Sequence, residues 1–217
     1  MQKSRNDVWV GLFVVIGAAA LLFLEESVLH GQSALLNSLI AVGHRVVHGG
    51  ELFSAPTLID DSVEKGIEKC IPLAPLHNPA NLEGVLSIEK VLPGVPQVTV
   101  FDTSFHMTMP EVAYTYALPK DVCDKYHVRK YGAHGTSHRY EWMMAKEILG
   151  SRCHRLLSCH LGNGASLAAI EDGVCRDTTM GLTPLDGLMM GTRCGSIDPA
   201  TVCYLQREGG YSYQEVD

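Results

Sequence analysis

Apolar and polar positions follow three different rhythms along this chain. From Val8 to Leu24 the run VWVGLFVVIGAAALLFL holds no charged side chain, just short of the ~20 residues that span a bilayer as a helix. Lys3 and Arg5 precede it and Glu25 and Glu26 follow, an order that leaves the amino end on the cytoplasmic side of a membrane. The pattern predicts an apolar helix over residues 1–24, either an uncleaved inner-membrane anchor inserted through residues 8–24 or a buried core helix. Val28, Leu29, Leu35, Leu36 and Leu39 then recur at helical spacing.

A second rhythm, alternation or short apolar runs ending at glycine or aspartate, predicts strands. Val46 and Val47 lie in one that ends at Gly49-Gly50, and Pro96–Phe101 is another, with Asp102 at its carboxyl end. Arg155–Leu161 and Ala165–Ile170 flank Gly162-Asn163-Gly164, a hairpin signal. Val174–Thr178 follows the Asp172-Gly173 turn. Helical periodicity predicts Asp61–Cys70, Thr136–Leu149 stopped by Gly150, and a helix opened by Asp198-Pro199 through about Leu205. Asn78–Leu92 reads as a helix with Asn78 as its N-cap and Pro79 just inside. Interleaved strands and helices make this an α/β chain, with no internal repeat or marked boundary after residue 25.

Composition narrows the classes. Hydrophobic residues make up 46% and charged ones 19%, enough for a packed core. A net charge of −7, with no basic run interleaved with aromatics, argues against a nucleic-acid partner. The 7 cysteines show no C-x-x-C and no paired spacing, so reduced, mostly buried thiols are expected rather than disulfides or a zinc knuckle.

Candidate chemistry clusters where histidine, arginine or aspartate adjoins glycine. Arg45 lies in GHRVVHGG, flanked by His44 and His48; a guanidinium there binds a carboxylate or phosphate bidentately, or forms a surface ion pair. Asp102, in FDTSFHMTMP, is a metal ligand, an orienting carboxylate or a helix cap, and His106 can be a packed core residue. His134, in YGAHGTSH, stands directly ahead of a helix, where it can meet developing negative charge. His160-Leu161-Gly162-Asn163-Gly164 is a phosphate cradle or a bare hairpin turn. Arg193 is a second arginine among glycines. Cations, a carboxylate and glycine turns suit phosphoryl transfer, which needs positioning and charge neutralisation. Arg45, Asp102, His134 and Arg193 are expected to open onto one cleft. Walker A and protein-kinase signatures are absent.

The motifs GHRVVHGG, APLHNPAN, VFDTSFHMTMP, YGAHGTSH, CHLGNGAS, DTTMGLTPLDGL and MGTRCGSIDPA resemble the acetokinase family, of the sugar kinase/Hsc70/actin superfamily, from about residue 40 to 217. The resemblance implies a partial acetokinase-type (actin-like ATPase) fold and the reaction ATP + acetate ⇌ ADP + acetyl phosphate, with magnesium as cofactor and direct in-line transfer. It implies that Arg45 holds the acetate carboxylate or the transferring phosphoryl group, that Val47, Leu76 and Pro184 meet the methyl group, and that His77 lies beside them. Asp102 would be the essential carboxylate and magnesium ligand, His134 and Arg193 would stabilise the transition state, and His160 to Gly164 would contact ATP. A cytoplasmic homodimer is the implied assembly.

Against that pattern, Thr179 and Asp186 stand where serine and glutamate are usual. An amino-terminal strand carrying N-x-G-S-S-S-x-K and the carboxyl-terminal half are expected to be missing, so residues 25–217 read as an incomplete domain, inactive alone. Residues 1–24 instead resemble the membrane anchor of Mce-domain lipid-transport proteins. A membrane-anchored, non-catalytic fragment or fusion with a kinase-like fold is the alternative reading. A metal-dependent hydrolase is weaker, because the histidines lack H-x-x-x-H and H-E-x-x-H spacing.

Overall fold

The computed structural model describes residues 39–216. The expected apolar helix over 1–24 and the helical stretch to Leu39 therefore lie outside the described residues, apart from Leu39 itself. Among the described residues no helix is long and apolar enough to cross a membrane. The chain divides at Thr108/Met109 into two compact units, a division that no composition shift marks.

The first unit is built on a three-stranded sheet. Strand β1 (Val42–Val46) pairs in parallel with β3 (Gln97–Phe101), and the two-residue β2 (Thr57–Leu58) pairs antiparallel with the other edge of β3. Gln97, Thr99 and Phe101 are buried while Val98 and Val100 are half-buried, the period-2 pattern of a strand with its deeper side in the core. Helix α1 (Asp61–Lys69) starts at Asp60, whose carboxylate accepts from the Ser62 and Val63 amides. Its Val63 and Ile67 join Val46 and Phe101 in the core, with Phe53, Ile59 and Leu82 packed around them. The Phe53 and Phe101 rings stack 4.3 Å apart. Gly66 lets Phe53 approach, since a Cβ there would stand 2.5 Å from the Phe53 ring. Each large side chain fully buried here contributes about 1.5–3 kcal/mol.

Helix α2 (Asn78–Val91) corrects one expectation: Asn78 is not its cap. His77 holds that position, with no side-chain cap bond. The Asn78 amide is fully buried and turned inward, accepting from the His48 N–H at 3.1 Å and donating to the His48 carbonyl at 2.9 Å. Tertiary demand outranks the local capping preference, because the buried amide bonds both peptide groups of His48 just after β1.

The second unit opens with two short helices, α3 (Glu111–Tyr114) and α4 (Lys120–Tyr126), then α5 (Gly135–Leu149). An antiparallel meander follows: β4 (Arg155–Leu161), β5 (Ala165–Glu171) and β6 (Val174–Thr178), in the order β4-β5-β6. The turns are the expected ones, and a register shift falls at Ala169/Ile170. Ala168, Ile170, Cys175 and Met180 are buried, together with Tyr131. Helix α6 (Ala200–Gly209) runs past the expected Leu205 and ends at Gly210 (φ 69°), and α7 (Tyr213–Val216) follows.

None of the seven cysteines forms a disulfide, and burial is not general: Cys70, Cys153 and Cys175 are buried, whereas Cys159, Cys194 and Cys203 are exposed. Burial pushes the Cys70 thiol up to about 11 and the Cys175 thiol up to about 12, so neither is a ready nucleophile.

Candidate active site

Candidate chemistry gathers in two places, one in each unit. In the first, β1 and β3 run parallel, so their carboxyl ends lie side by side, where α/β sheets commonly carry functional groups. The Asp102 N–H donates to the Val46 carbonyl at 2.9 Å, continuing the ladder one residue past β3. That register sets the Asp102 carboxylate against Arg45. Arg45 Nε donates to Oδ1 at 2.9 Å and Nη2 to Oδ2 at 2.5 Å. The carboxylate side chain is 2% exposed and the guanidinium 61%. The hydrogen bond to Asp102 raises the Arg45 pKa above its already high value, against a smaller opposing effect of burial. Of the readings open for Asp102, an orienting carboxylate is the one this geometry displays.

The loop after β1 is held from behind. Asn81 Oδ1 accepts from the Val47 N–H at 3.0 Å, while Asn78 clamps His48. Three positions apart on one helix, these side chains share a face. His48 is buried, and its Nδ1 accepts from the Gly50 N–H at 3.0 Å. Burial lowers its pKa to about 4. Leu76 is 79% exposed and His77 exposed, both in the turn before α2.

In the second unit His134 precedes α5 with a left-handed backbone (φ 60°), a conformation uncommon outside glycine and worth a functional question. Its ring stacks on His160 with centroids 3.9 Å apart. His160 Nδ1 lies 3.0 Å from Ser137 Oγ, and His134 Nδ1 lies 2.9 Å from Ser166 Oγ. Gly164 brings the arginine in: a Cβ there would stand 3.1 Å from His134 Nε2 and 3.2 Å from Arg193 Nη1. The turn at Gly162–Gly164 is thus a hairpin and also the wall on which a histidine edge and a guanidinium meet. Leu161, Gly162 and Asn163 are exposed.

Arg193 is anchored by its own loop. Its Nη1 donates to the Pro184 carbonyl at 3.2 Å, and its carbonyl accepts from the Met190 N–H at 2.9 Å. The loop is closed by Asp186 Oδ1, which accepts from Ser196 Oγ at 2.6 Å and the Gly187 N–H at 2.8 Å.

Sequence reasoning missed Asn81, Ser158 and Ser166 and undervalued Asn78 and His138. A signal existed for the serines: both occupy period-2 positions of β4 and β5 on the buried side, shared with Ala168 and Ile170. A polar residue on an apolar strand face needs a partner.

Among the described residues no three histidine, cysteine, aspartate or glutamate side chains are placed to hold a metal ion. A protein-caged metal does not fit this donor set. A magnesium ion carried on a nucleotide keeps several waters and needs only one or two carboxylates; both oxygens of the Asp102 carboxylate are engaged by Arg45 in this structure.

Arginines, stacked histidines and glycine turns, present across the two units of this α/β chain, are residue types suited to an anion-handling class of protein. Comparison sharpens that class: the acetokinase family model matches residues 16–217, and the chain belongs to the acetokinase family. The match begins inside the apolar amino-terminal run. Acetate kinase 2 of Clostridium perfringens is 54% identical over 218 residues, covering 100% of this chain and 52% of that protein. Acetate kinase of Thermotoga maritima is 55% identical over 183 residues, covering 83% and 45%. Among solved structures, Porphyromonas gingivalis acetate kinase superposes with a TM-score of 0.79 at 54% identity, over 83% of this chain and 46% of that one. A propionate kinase from Francisella tularensis gives 0.84 at 47% identity, over 89% and 50%. The chain thus spans about half the length of the curated relatives it matches, and its α/β fold is of the acetate kinase type.

Proposed function

We propose that this chain carries the acyl-phosphate chemistry of an acetate kinase, transferring the γ-phosphoryl group of Mg·ATP to acetate. The observation that carries the reading is the family match over residues 16–217 with the cationic motifs in place. A carboxylate oxygen of acetate attacks the γ-phosphorus, the bond to the bridging β,γ-oxygen breaks, and ADP leaves with that electron pair. Acetate is already ionised at neutral pH, so no general base is required. The protein's task is then to hold two anions together and neutralise charge spreading over the equatorial oxygens.

In this reading Arg45, oriented by Asp102, binds the acetate carboxylate or the transferring phosphoryl group. Asp102 would also be the carboxylate nearest the hydrated magnesium of Mg·ATP, whose role there would be to neutralise phosphate charge. Arg193 and His134 neutralise the transition state, and His160 to Gly164 contact the ATP phosphates. Val47, Leu76 and Pro184 are assigned the methyl group of the acid, with His77 beside them. The similarity to a propionate kinase supports a class of acceptor, the short-chain carboxylates, with acetate first because the curated relatives described above are acetate kinases.

The test is acyl phosphate formation, trapped as the hydroxamate, from Mg·ATP with acetate and with propionate. Arg193→Ala serves as the blank. Product with wild type and none with the variant is expected, in place of the inactivity that the incomplete motif pattern predicts for this chain alone. Folded protein that forms no acyl phosphate from either acid overturns the reading.

A further inference from the structure

His134 is the end of a buried chain of hydrogen bonds that the transfer chemistry leaves unexplained. Behind it, Ser166 Oγ touches His134 Nδ1 at 2.9 Å and His138 Nε2 at 2.8 Å. His138 Nδ1 in turn touches Ser158 Oγ at 2.8 Å. Ser158, Ser166 and His138 are all buried, the last two completely. The chain runs Ser158–His138–Ser166–His134, drawing on β4, α5, β5 and the turn before α5.

Each hydroxyl has one proton, and each neutral imidazole has one N–H and one lone pair. The whole chain therefore points one way or the other. Its direction is set at the Ser158 end. The one side-chain hydrogen bond of Ser158 Oγ among the described residues is to His138 Nδ1. Were Ser158 the acceptor, its own proton would be buried without a partner, which is the costly outcome. Ser158 must donate. His138 Nδ1 then accepts, His138 Nε2–H donates to Ser166, and Ser166 has its single proton left for His134 Nδ1. The proton of His134 falls on Nε2, the edge that faces Gly164 alongside Arg193.

We infer that Ser158, His138 and Ser166 are positioning residues that fix His134 as a neutral imidazole with its proton on Nε2, a hydrogen-bond donor to the anion. Neutrality suits the surroundings: the groups facing His134 include the stacked His160 ring, His138 through Ser166, and the Arg193 guanidinium. A second positive charge beside Arg193 is disfavoured, whereas an N–H donor adds to it. The role of His134 in the transfer rests on the reading above; the proton order does not.

The test is ¹H–¹⁵N correlation of the histidine rings in the ¹⁵N-labelled full chain at neutral pH. His134 and His138 are each expected as the neutral Nε2–H form. Either ring with its proton on Nδ1, or an even mixture, overturns the inference without any variant. In Ser166→Ala the His134 nitrogens should lose that fixed pattern and take up a proton at a pH about one unit higher, since Nδ1 no longer accepts a hydrogen bond. Ser166→Thr, which keeps the hydroxyl, should restore it. His134 signals unchanged in Ser166→Ala also overturn the inference. With acetate and Mg·ATP, kcat should fall roughly 10- to 100-fold in Ser166→Ala while KM moves little. Shifted ring signals with an unchanged rate uphold the chain and reject the transfer role given to His134.

Discussion

Arg45 grips Asp102 through two nitrogens from the neighbouring parallel strand, so a carboxylate only 2% exposed is neutralised by a guanidinium that stays mostly in solvent. The pair lets a negative group sit at a sheet end without repelling the anions the site is proposed to hold. Removing Arg45 takes two charge-assisted hydrogen bonds from a buried carboxylate. Arg45→Ala is therefore expected to cost about 1–3 kcal/mol, solvent screening keeping it below the range for wholly buried pairs. Arg45→Lys should lie between, because an ammonium cannot reproduce the fork. A urea double-mutant cycle with Asp102→Ala checks this: the double variant should cost less than the two single ones together. Strict additivity would show that the pair is not coupled.

His48 gives the stability a pH dependence with a definite sign. An unfolded histidine titrates near 6.5, whereas buried His48 titrates at about 4. Between those values the unfolded chain binds the extra proton first, so stability falls as pH drops from 6.5 and levels off below 4. A shift of that size is worth roughly 3 kcal/mol. Protonation would also break the bond from Gly50 N–H to Nδ1. His48→Asn, whose short side chain can accept from the amide two residues on, should flatten the acid limb of urea midpoints measured from pH 7 to 4.

Gly164→Ala tests the wall shared by His134 and Arg193. The new methyl would stand 3.1–3.2 Å from both, close enough to push each by a few tenths of an ångström and not to break the hairpin. Thermal stability should change by under about 1 kcal/mol. Turnover should drop by up to about 10-fold, since a full 1 Å misplacement can cost about 100-fold. Circular dichroism melts and the acyl phosphate assay together decide it; unaltered turnover would remove Gly164 from the site.

Asn78→Ala should be among the more damaging single changes, at about 2–4 kcal/mol, because it takes a buried hydrogen-bond partner from both the His48 N–H and the His48 carbonyl. Chemical denaturation measures it directly. A loss below 1 kcal/mol would mean water replaces the amide.

The strands around Gly162-Asn163-Gly164 and Asp172-Gly173 were legible because period-2 alternation and turn residues are local signals. Short elements such as Thr57–Leu58, Glu111–Tyr114 and Lys120–Tyr126 were not, having too few residues for any period to show. Asn78 was misread for the opposite reason: a strong local preference concealed a stronger distant partner. Arg45 and Asp102 were each singled out as anion or metal groups, yet their pairing depends on β1 lying beside β3, which neither segment encodes alone. Ser158 and Ser166 went unread because they carry no chemistry until α5 packs His138 between them.

The strand order also bears on how the chain reaches this state. The meander β4-β5-β6 is joined by turns of a few residues, so it closes at small entropic cost and can form within microseconds. Arg45 and Asp102 lie 57 residues apart, and non-local pairing of that kind comes slowly. The expected sequence of events is that β5 amides gain protection from pulsed hydrogen exchange before the Asp102 amide does. Until β1 docks on β3, the Asp102 carboxylate waits in water for its guanidinium, and the chain is most open to aggregation during that interval.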